Sequence, residues 1–330
     1  MKILVTGGAG YIGAHSARAL VEAGAQVVLY DDLSTGHRQA AERTGGRLVV
    51  GALHDRALLQ ATLAEGFDAV LHFAARALVG ESTRRPGWYF EQNVGGTLAL
   101  LTAMEGAGVN RLVFSSSCSI YGAPAYLPVD ELHPIGPLSP YGRSKWMVEE
   151  ILSELRQRQG LQVTSLRYFN AAGAHPDGTL GESHDPETHL IPLVLAAAAG
   201  ERGALSIYGR DYATPDGTCV RDYVHVQDLA DAHLRALDAL MGGAAGDAYN
   251  LGTGRGHSVL EVIAAAERVT GLPVPVVDAP RRDGDPPGLW ASAEKARREL
   301  GWSPVYVELE SIIETAWRWH QRERAVRASS

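Results

Sequence analysis

At 330 residues, 45% of them hydrophobic and 21% charged, the chain is long enough for one large or two modest domains and too apolar for a disordered polypeptide. A formal net charge of -8 argues against a nucleic-acid surface, which needs clustered Lys and Arg. Only Cys118 and Cys219 are present, no signal-peptide pattern precedes the first apolar run, and the longest aliphatic stretch, Leu190 to Ala199, is broken by Pro192, so a cytoplasmic protein with no membrane role is expected.

Lys2-Ile3-Leu4-Val5-Thr6 reads as a buried parallel strand, running into Gly7-Gly8-Ala9-Gly10-Tyr11-Ile12-Gly13 and a helix that continues through Ala14 to Ala23. A strand, a glycine loop and a helix N-terminus together predict a dinucleotide site. Glycines let the backbone approach a pyrophosphate, and the helix start presents N–H groups to the anion. The second apolar run, Gln26 to Tyr30, ends in Asp31-Asp32, where a carboxylate would accept from a ribose diol and repel a 2'-phosphate. The cofactor expected is therefore NAD.

Strand and helix signals then alternate. Arg47–Val50 and Ala69–Phe73 read as strands with a helix from Asp55 to Ala64 between them, and a longer helix from about Pro86 passes Asn93 to Glu105. Arg111–Phe114 is a further strand, opening into Ser115-Ser116-Ser117. A helix over Tyr141 to Gln157 and the strand Val163–Arg167 follow. This rhythm predicts an α/β fold, a Rossmann-type doubly wound parallel sheet with a smaller C-terminal substrate-binding domain. The predicted division gives residues 1–175, rejoined by about 217–251, to the NAD-binding domain. About 176–216 and 252–320 form the second domain, with 321–330 as a tail.

The sharpest chemical pattern is Tyr141-Gly142-Arg143-Ser144-Lys145. On a helix, Tyr141 and Lys145 lie on one face, one turn apart. A cation roughly 5 Å from the phenol contributes about 3 kcal/mol at an effective dielectric of about 20. With a positively charged nicotinamide ring adding a similar push, the phenol is expected to work as a base near neutral pH. Ser117 is either a polar strand end or a hydroxyl shared with the sugar hydroxyl that Tyr141 deprotonates. No Gly-x-Ser-x-Gly elbow surrounds it. The twelve histidines show no zinc-binding spacing, so His184, His189 and His225 read as loop or cap residues and no metal is expected. Arg221 and Arg281-Arg282, with Asp222, Asp283 and Asp285 nearby, are either surface ion pairs or a grip on a diphosphate and a ribose.

The chain resembles the extended short-chain dehydrogenases/reductases, and among them the UDP-glucose 4-epimerases along nearly its whole length. The resemblance rests on Thr6 to Gly13, Val79-Gly80-Glu81-Ser82, Phe114 to Ser117, Tyr121-Gly122, Ser139 to Lys145, Arg167-Tyr168-Phe169-Asn170, Gly217 to Tyr223 and Tyr249-Asn250-Leu251-Gly252. It implies C4 inversion of a UDP-hexose through a transient 4-keto sugar, in a homodimer. Tyr141 would be the base, Lys145 would hold the nicotinamide ribose and tune Tyr141, and Ser117 would orient the sugar. Gly7, Gly10, Tyr11, Ile12, Gly13, Asp31, Leu53, Phe73, Ala74, Asn93 and Tyr168 would hold NAD. Asn170, His189, Leu190, Arg221, Arg282, Asp285 and Leu289 would hold the UDP-sugar.

Three positions depart from the family pattern. Ala52-Leu53 stands where an Asp and an aliphatic residue usually meet adenine, Ala77 stands where some relatives have a lysine, with Arg76 beside it, and Leu289 replaces a tyrosine or a smaller residue at the sugar gate. The rivals are a 4-epimerase for UDP-N-acetylglucosamine or another UDP-sugar, a sugar-nucleotide dehydratase or decarboxylase, and a catalytically silent NAD sensor. A 4,6-dehydratase normally has an Asp-Glu pair where Cys118 and Ser119 stand.

Overall fold

A computed structural model describes residues 1–282 and 284–328. Asp283, Ser329 and Ser330 lie outside the described residues. The predicted strands form one parallel sheet from Lys2–Thr6 (β1), Gln26–Asp31 (β2), Arg47–Val50 (β3), Ala69–His72 (β4), Arg111–Ser115 (β5) and Gln162–Tyr168 (β6), with Ala248–Leu251 as a seventh strand. Their order is Ala248–Leu251, β6, β5, β4, β1, β2, β3. The chain winds one way from β1 to β3 and the other way from β4 onward. The switch between β1 and β4 opens a crevice at the carboxyl ends of the strands, where the glycine loop begins.

The strands are apolar without alternation because both faces are covered. Ile3, Val5, Leu71 and Val113 pack into one cluster with Leu229, Ala236 and Leu240 of the helix Val226–Met241. Leu4, Val70, Leu112 and Phe114 point the other way, against Leu59, Leu100, Met104, Val148 and Leu152 of three further helices. The expected helix from Pro86 to Glu105 is continuous, but Glu91–Gly95, which carries Asn93, forms a π-helical turn. Such single turns recur at functional sites.

A third cluster gathers Ile191, Val194, Leu195, Ile207, Val262, Ile263, Ile312 and Ile313. Pro192 is tolerated because it falls in the first turn of the helix Leu190–Ala198, where its missing N–H breaks no helical hydrogen bond. One expectation is corrected: residues 321–328, read as a tail, continue the helix Leu309–Ala328. Arg, Glu and Ala in that stretch are strong helix formers, and Ile312, Ile313 and Trp319 anchor the preceding turns. Among the described residues no helix is long and apolar enough to cross a membrane.

Candidate functional site

The glycine loop leaves space only for backbone. Gly7 has φ +71°, and a Cβ there would meet the Ala74 nitrogen at 2.5 Å, while one on Gly13 would meet the Gly7 carbonyl oxygen at 2.1 Å. Gly10 opens the helix Tyr11–Glu22 with no side-chain cap, which leaves the helix start to an anion. Asp31 is buried at the end of β2, accepting from Ala9 N at 2.9 Å and Leu33 N at 2.8 Å. Burial raises its carboxyl above the ordinary range, and those two N–H groups oppose the rise. Leu33, at φ 58°, holds a left-handed backbone that non-glycine residues seldom adopt, so the turn that fixes Asp31 is strained.

A cleft of about 570 Å³ lies beyond these strand ends. It is lined by Gly7, Gly10, Tyr11, Ile12, Gly13, Asp31, Leu53, Phe73 and Ala74 on the loop side, and by Ser117, Tyr141, Lys145, Tyr168, Asn170 and His189 on the other. Thus five residues chosen for chemistry or substrate meet ten chosen for the cofactor, Tyr168 among the latter.

The helix Pro140–Gln159 presents the first pair. Ser139 caps it, accepting from Gly142 N at 3.1 Å, and Pro140 occupies the first turn. Lys145 is buried; its Nζ donates to the Ser115 carbonyl at 2.7 Å and lies 6.0 Å from the centre of the Tyr141 ring. Burial pushes the Tyr141 phenol up to about 12, opposed by the Ser117 hydroxyl. It pushes Lys145 down to about 7, opposed by Glu149. The expected fall of the phenol toward neutrality is therefore not a property of the protein side chains alone, because desolvation outweighs the Ser117 hydrogen bond that opposes it. Ser117 lines the cleft and also accepts from Ser119 N at 3.2 Å, capping the short turn Cys118–Ile120 at the strand end. The Tyr168 hydroxyl bonds that of Ser115.

The other predicted residues stand back from the cleft lining. Asn93 is buried and clamps Arg76, accepting from its N–H at 2.8 Å and donating to its carbonyl at 3.0 Å. Leu190 opens its helix against the third cluster. Arg221 donates to Asp285 at 3.1 Å and to the Pro286 carbonyl at 2.9 Å, while Arg282 lies over the Tyr208 ring. Leu289 is buried on a short strand beside Arg221.

Sequence reasoning missed two features. Beneath Lys145, the buried Glu149 carboxylate accepts from Arg167 Nη2 at 2.6 Å and Nε at 3.0 and 3.1 Å, and also from the Ser116 hydroxyl. Arg167 donates onward to Tyr121, whose hydroxyl donates to Asn250 at 2.7 Å. The signal was present, since Tyr141, Lys145 and Glu149 recur every four residues on one helix face. The second is Arg76, on the cleft wall, 3.5 Å from Asp32 and over the face of Trp88. Nothing local in the sequence marks that meeting.

The glycine cradle, closed to any Cβ, and the buried Asp31 beside it fit a dinucleotide. The model of the NAD dependent epimerase/dehydratase family matches residues 3–252. The UDP-glucose 4-epimerase of Lacticaseibacillus casei is 49% identical over 322 residues, 97% of each chain. The structure of UDP-glucose 4-epimerase from Brucella ovis in complex with NAD superposes with a TM-score of 0.93 at 48% identity, covering 96% of this chain and 97% of that one. UDP-glucose-4-epimerase from Stenotrophomonas maltophila, with bound NAD and formylated UDP-arabinopyranose, gives 0.95 at 43% identity, covering 99% of both chains. A glycine cradle, an acid after β2 and a Tyr-Lys helix in one cleft, in a chain that matches such relatives end to end, lead to one assignment: the chain belongs to the NAD dependent epimerase/dehydratase family.

Proposed function

We propose that this protein is an isomerase that interconverts UDP-glucose and UDP-galactose by inverting C4 of the hexose, with no net redox change. The observation that carries this reading is the convergence of Ser117, Tyr141 and Lys145 with the glycine loop and Asp31 on one cleft. The bound NAD would supply a reversible hydride acceptor for C4 and a positive ring that favours the phenolate. Gly7, Gly10, Tyr11, Ile12 and Gly13 would hold its diphosphate and Asp31 its adenosine ribose, Leu53, Phe73 and Ala74 would complete the wall of its site, and Asn93 holds the Arg76 backbone at the cleft.

The chain's own part is positioning and proton transfer. Tyr141 removes the O4 proton and later returns it, and Lys145 and Ser117 stabilise the phenolate it needs. Tyr168 closes the wall beside them. Asn170, His189, Leu190, Arg221, Arg282 and Asp285 anchor the UDP end, so the sugar can turn over while its nucleotide stays held. The Cys118 thiol, pushed by burial up to about 12, is a poor acid at the place where a dehydratase needs carboxylates. Incubation with UDP-galactose should give UDP-glucose by NMR; a 4-keto-6-deoxy sugar would move the assignment to a dehydratase. The exposed Leu98 and Met147, on the helices Gly96–Gly106 and Pro140–Gln159, support a homodimer joined through these helices. Light scattering would read its mass directly.

Two further outcomes are expected. Asp31→Ala removes a ribose acceptor and orphans Ala9 N and Leu33 N, so NAD affinity measured by calorimetry should fall by about 1 to 3 kcal/mol. Stronger binding of NADP than of NAD by the unaltered protein would contradict the role given to Asp31. Leu289, intermediate in bulk between tyrosine and serine, should bias the pocket toward a C2 hydroxyl by about 1 to 3 kcal/mol without closing it to an N-acetyl group. Leu289→Ser should raise kcat/KM for UDP-N-acetylglucosamine relative to UDP-galactose. An unchanged ratio would mean that Leu289 does not face the sugar.

A further inference from the structure

We propose that Glu182, His184, Glu187 and His189 form a zinc-binding site on the wall of the cleft. The loop that carries them folds back on itself, so that one ligand atom from each lies within 4.8 Å of all the others. His184 Nδ1 is 3.3 Å from Glu182 Oε1 and 3.5 Å from Glu187 Oε2. A tetrahedron with metal–ligand bonds of about 2.0 to 2.1 Å has edges of about 3.3 to 3.4 Å. One further pair, His189 Nδ1 and Glu182 Oε1 at 2.5 Å, must open to admit an ion.

A second observation points to a ligand. Glu182 Oε1 and His184 Nδ1 are buried without a hydrogen-bond partner, although the Glu182 side chain is only 6% exposed. Glu182 Oε1 meets His184 and His189 as ion-pair contacts without the alignment of a hydrogen bond, an arrangement that an ion between them would complete. The surroundings hold the donors in place. Trp319 Nε1 donates to the Glu182 carbonyl at 2.9 Å, His37 bonds the Ser183 carbonyl at 3.0 Å, and Glu187 Oε1 accepts from Thr188 N and His189 N at 2.7 and 2.8 Å. Glu187 Oε2 is left for the ion.

Two imidazoles with two carboxylates suit zinc, whereas magnesium and calcium prefer oxygen-only shells. Each imidazole binds through Nδ1 and keeps Nε2, so His189 can still face a ligand in the cleft. Sequence spacing hid the site because the donors alternate between types across a loop containing Pro186, outside the helical repeats by which zinc sites are recognised. The claim does not rest on the proposed reaction. Its rival is a set of histidine–glutamate ion pairs built from the same residues.

Untagged protein, stripped with EDTA and dialysed, is titrated with Co²⁺ and with Zn²⁺. The expected result is the intense visible absorption of tetrahedral Co²⁺, displaced by one equivalent of Zn²⁺ per chain, with micromolar or tighter zinc binding by calorimetry and no competition from Mg²⁺. His184→Asn and Glu187→Gln, each checked for folding by circular dichroism, should weaken zinc at least about tenfold. Absence of the tetrahedral spectrum in the unaltered protein overturns the proposal and leaves ion pairs alone. So does unchanged zinc affinity in whichever variants fold.

Discussion

Tyr141→Phe should retain NAD and UDP-sugar binding while losing about 10² to 10⁴ in turnover. The substitution removes one oxygen from a side chain whose ring remains between Ser117 and Lys145 on the cleft wall, so the shape of the site persists. No neighbour replaces the base. The Cys118 thiol is held at about 12 by burial, and Lys145, though brought down to about 7, directs its Nζ to the Ser115 carbonyl. The phenol is itself raised to about 12, so the pH dependence of kcat is informative. A basic limb in the unaltered protein, absent from the residual activity of the variant, would belong to Tyr141. Binding measured by calorimetry and turnover by NMR separate the two effects, and near-normal turnover would refute the assignment.

Glu149→Gln should destabilise the fold by about 3 to 5 kcal/mol, because it leaves Arg167 buried without its countercharge. Both side chains are nearly inaccessible, at 5% and 8% exposure. The loss should reach the site as well. Glu149 accepts from the Ser116 hydroxyl, between the Ser115 carbonyl that holds Lys145 and the Ser117 hydroxyl. Urea unfolding checks the first effect, and the double variant Glu149→Gln with Arg167→Met should recover part of the loss, since it buries no unpaired charge. A single variant within about 0.5 kcal/mol of the unaltered protein would mean that water reaches Arg167 and that the pair is not truly desolvated.

What the sequence made legible was local. β1, the glycine loop and the acid after β2 are contiguous, and their physical demands are written into consecutive residues. Tyr141 and Lys145 are related by one helical turn, so periodicity alone places them together. Ser117 needed one step more, the rule that ligands meet parallel strands at their carboxyl ends. Where contacts depend on distant chain segments, the reading stopped. Arg76 finds Asp32 across 44 positions, Arg221 finds Asp285 across 64, and the cluster at 182–189 is held by Trp319 from the last helix. The end of that helix, residues 321–328, falls in the stretch read as a tail, since polar terminal residues resemble one until the apolar face of the earlier turns is seen to pack.

The most direct test of the central claim uses UDP-galactose carrying deuterium at C4, incubated with the purified protein and followed by NMR. The account predicts UDP-glucose that retains deuterium at C4, formed to equilibrium without net accumulation of NADH, because the same hydrogen leaves and returns within one cleft. Product in which C4 has acquired hydrogen from solvent, or stoichiometric NADH with no UDP-glucose, would contradict it.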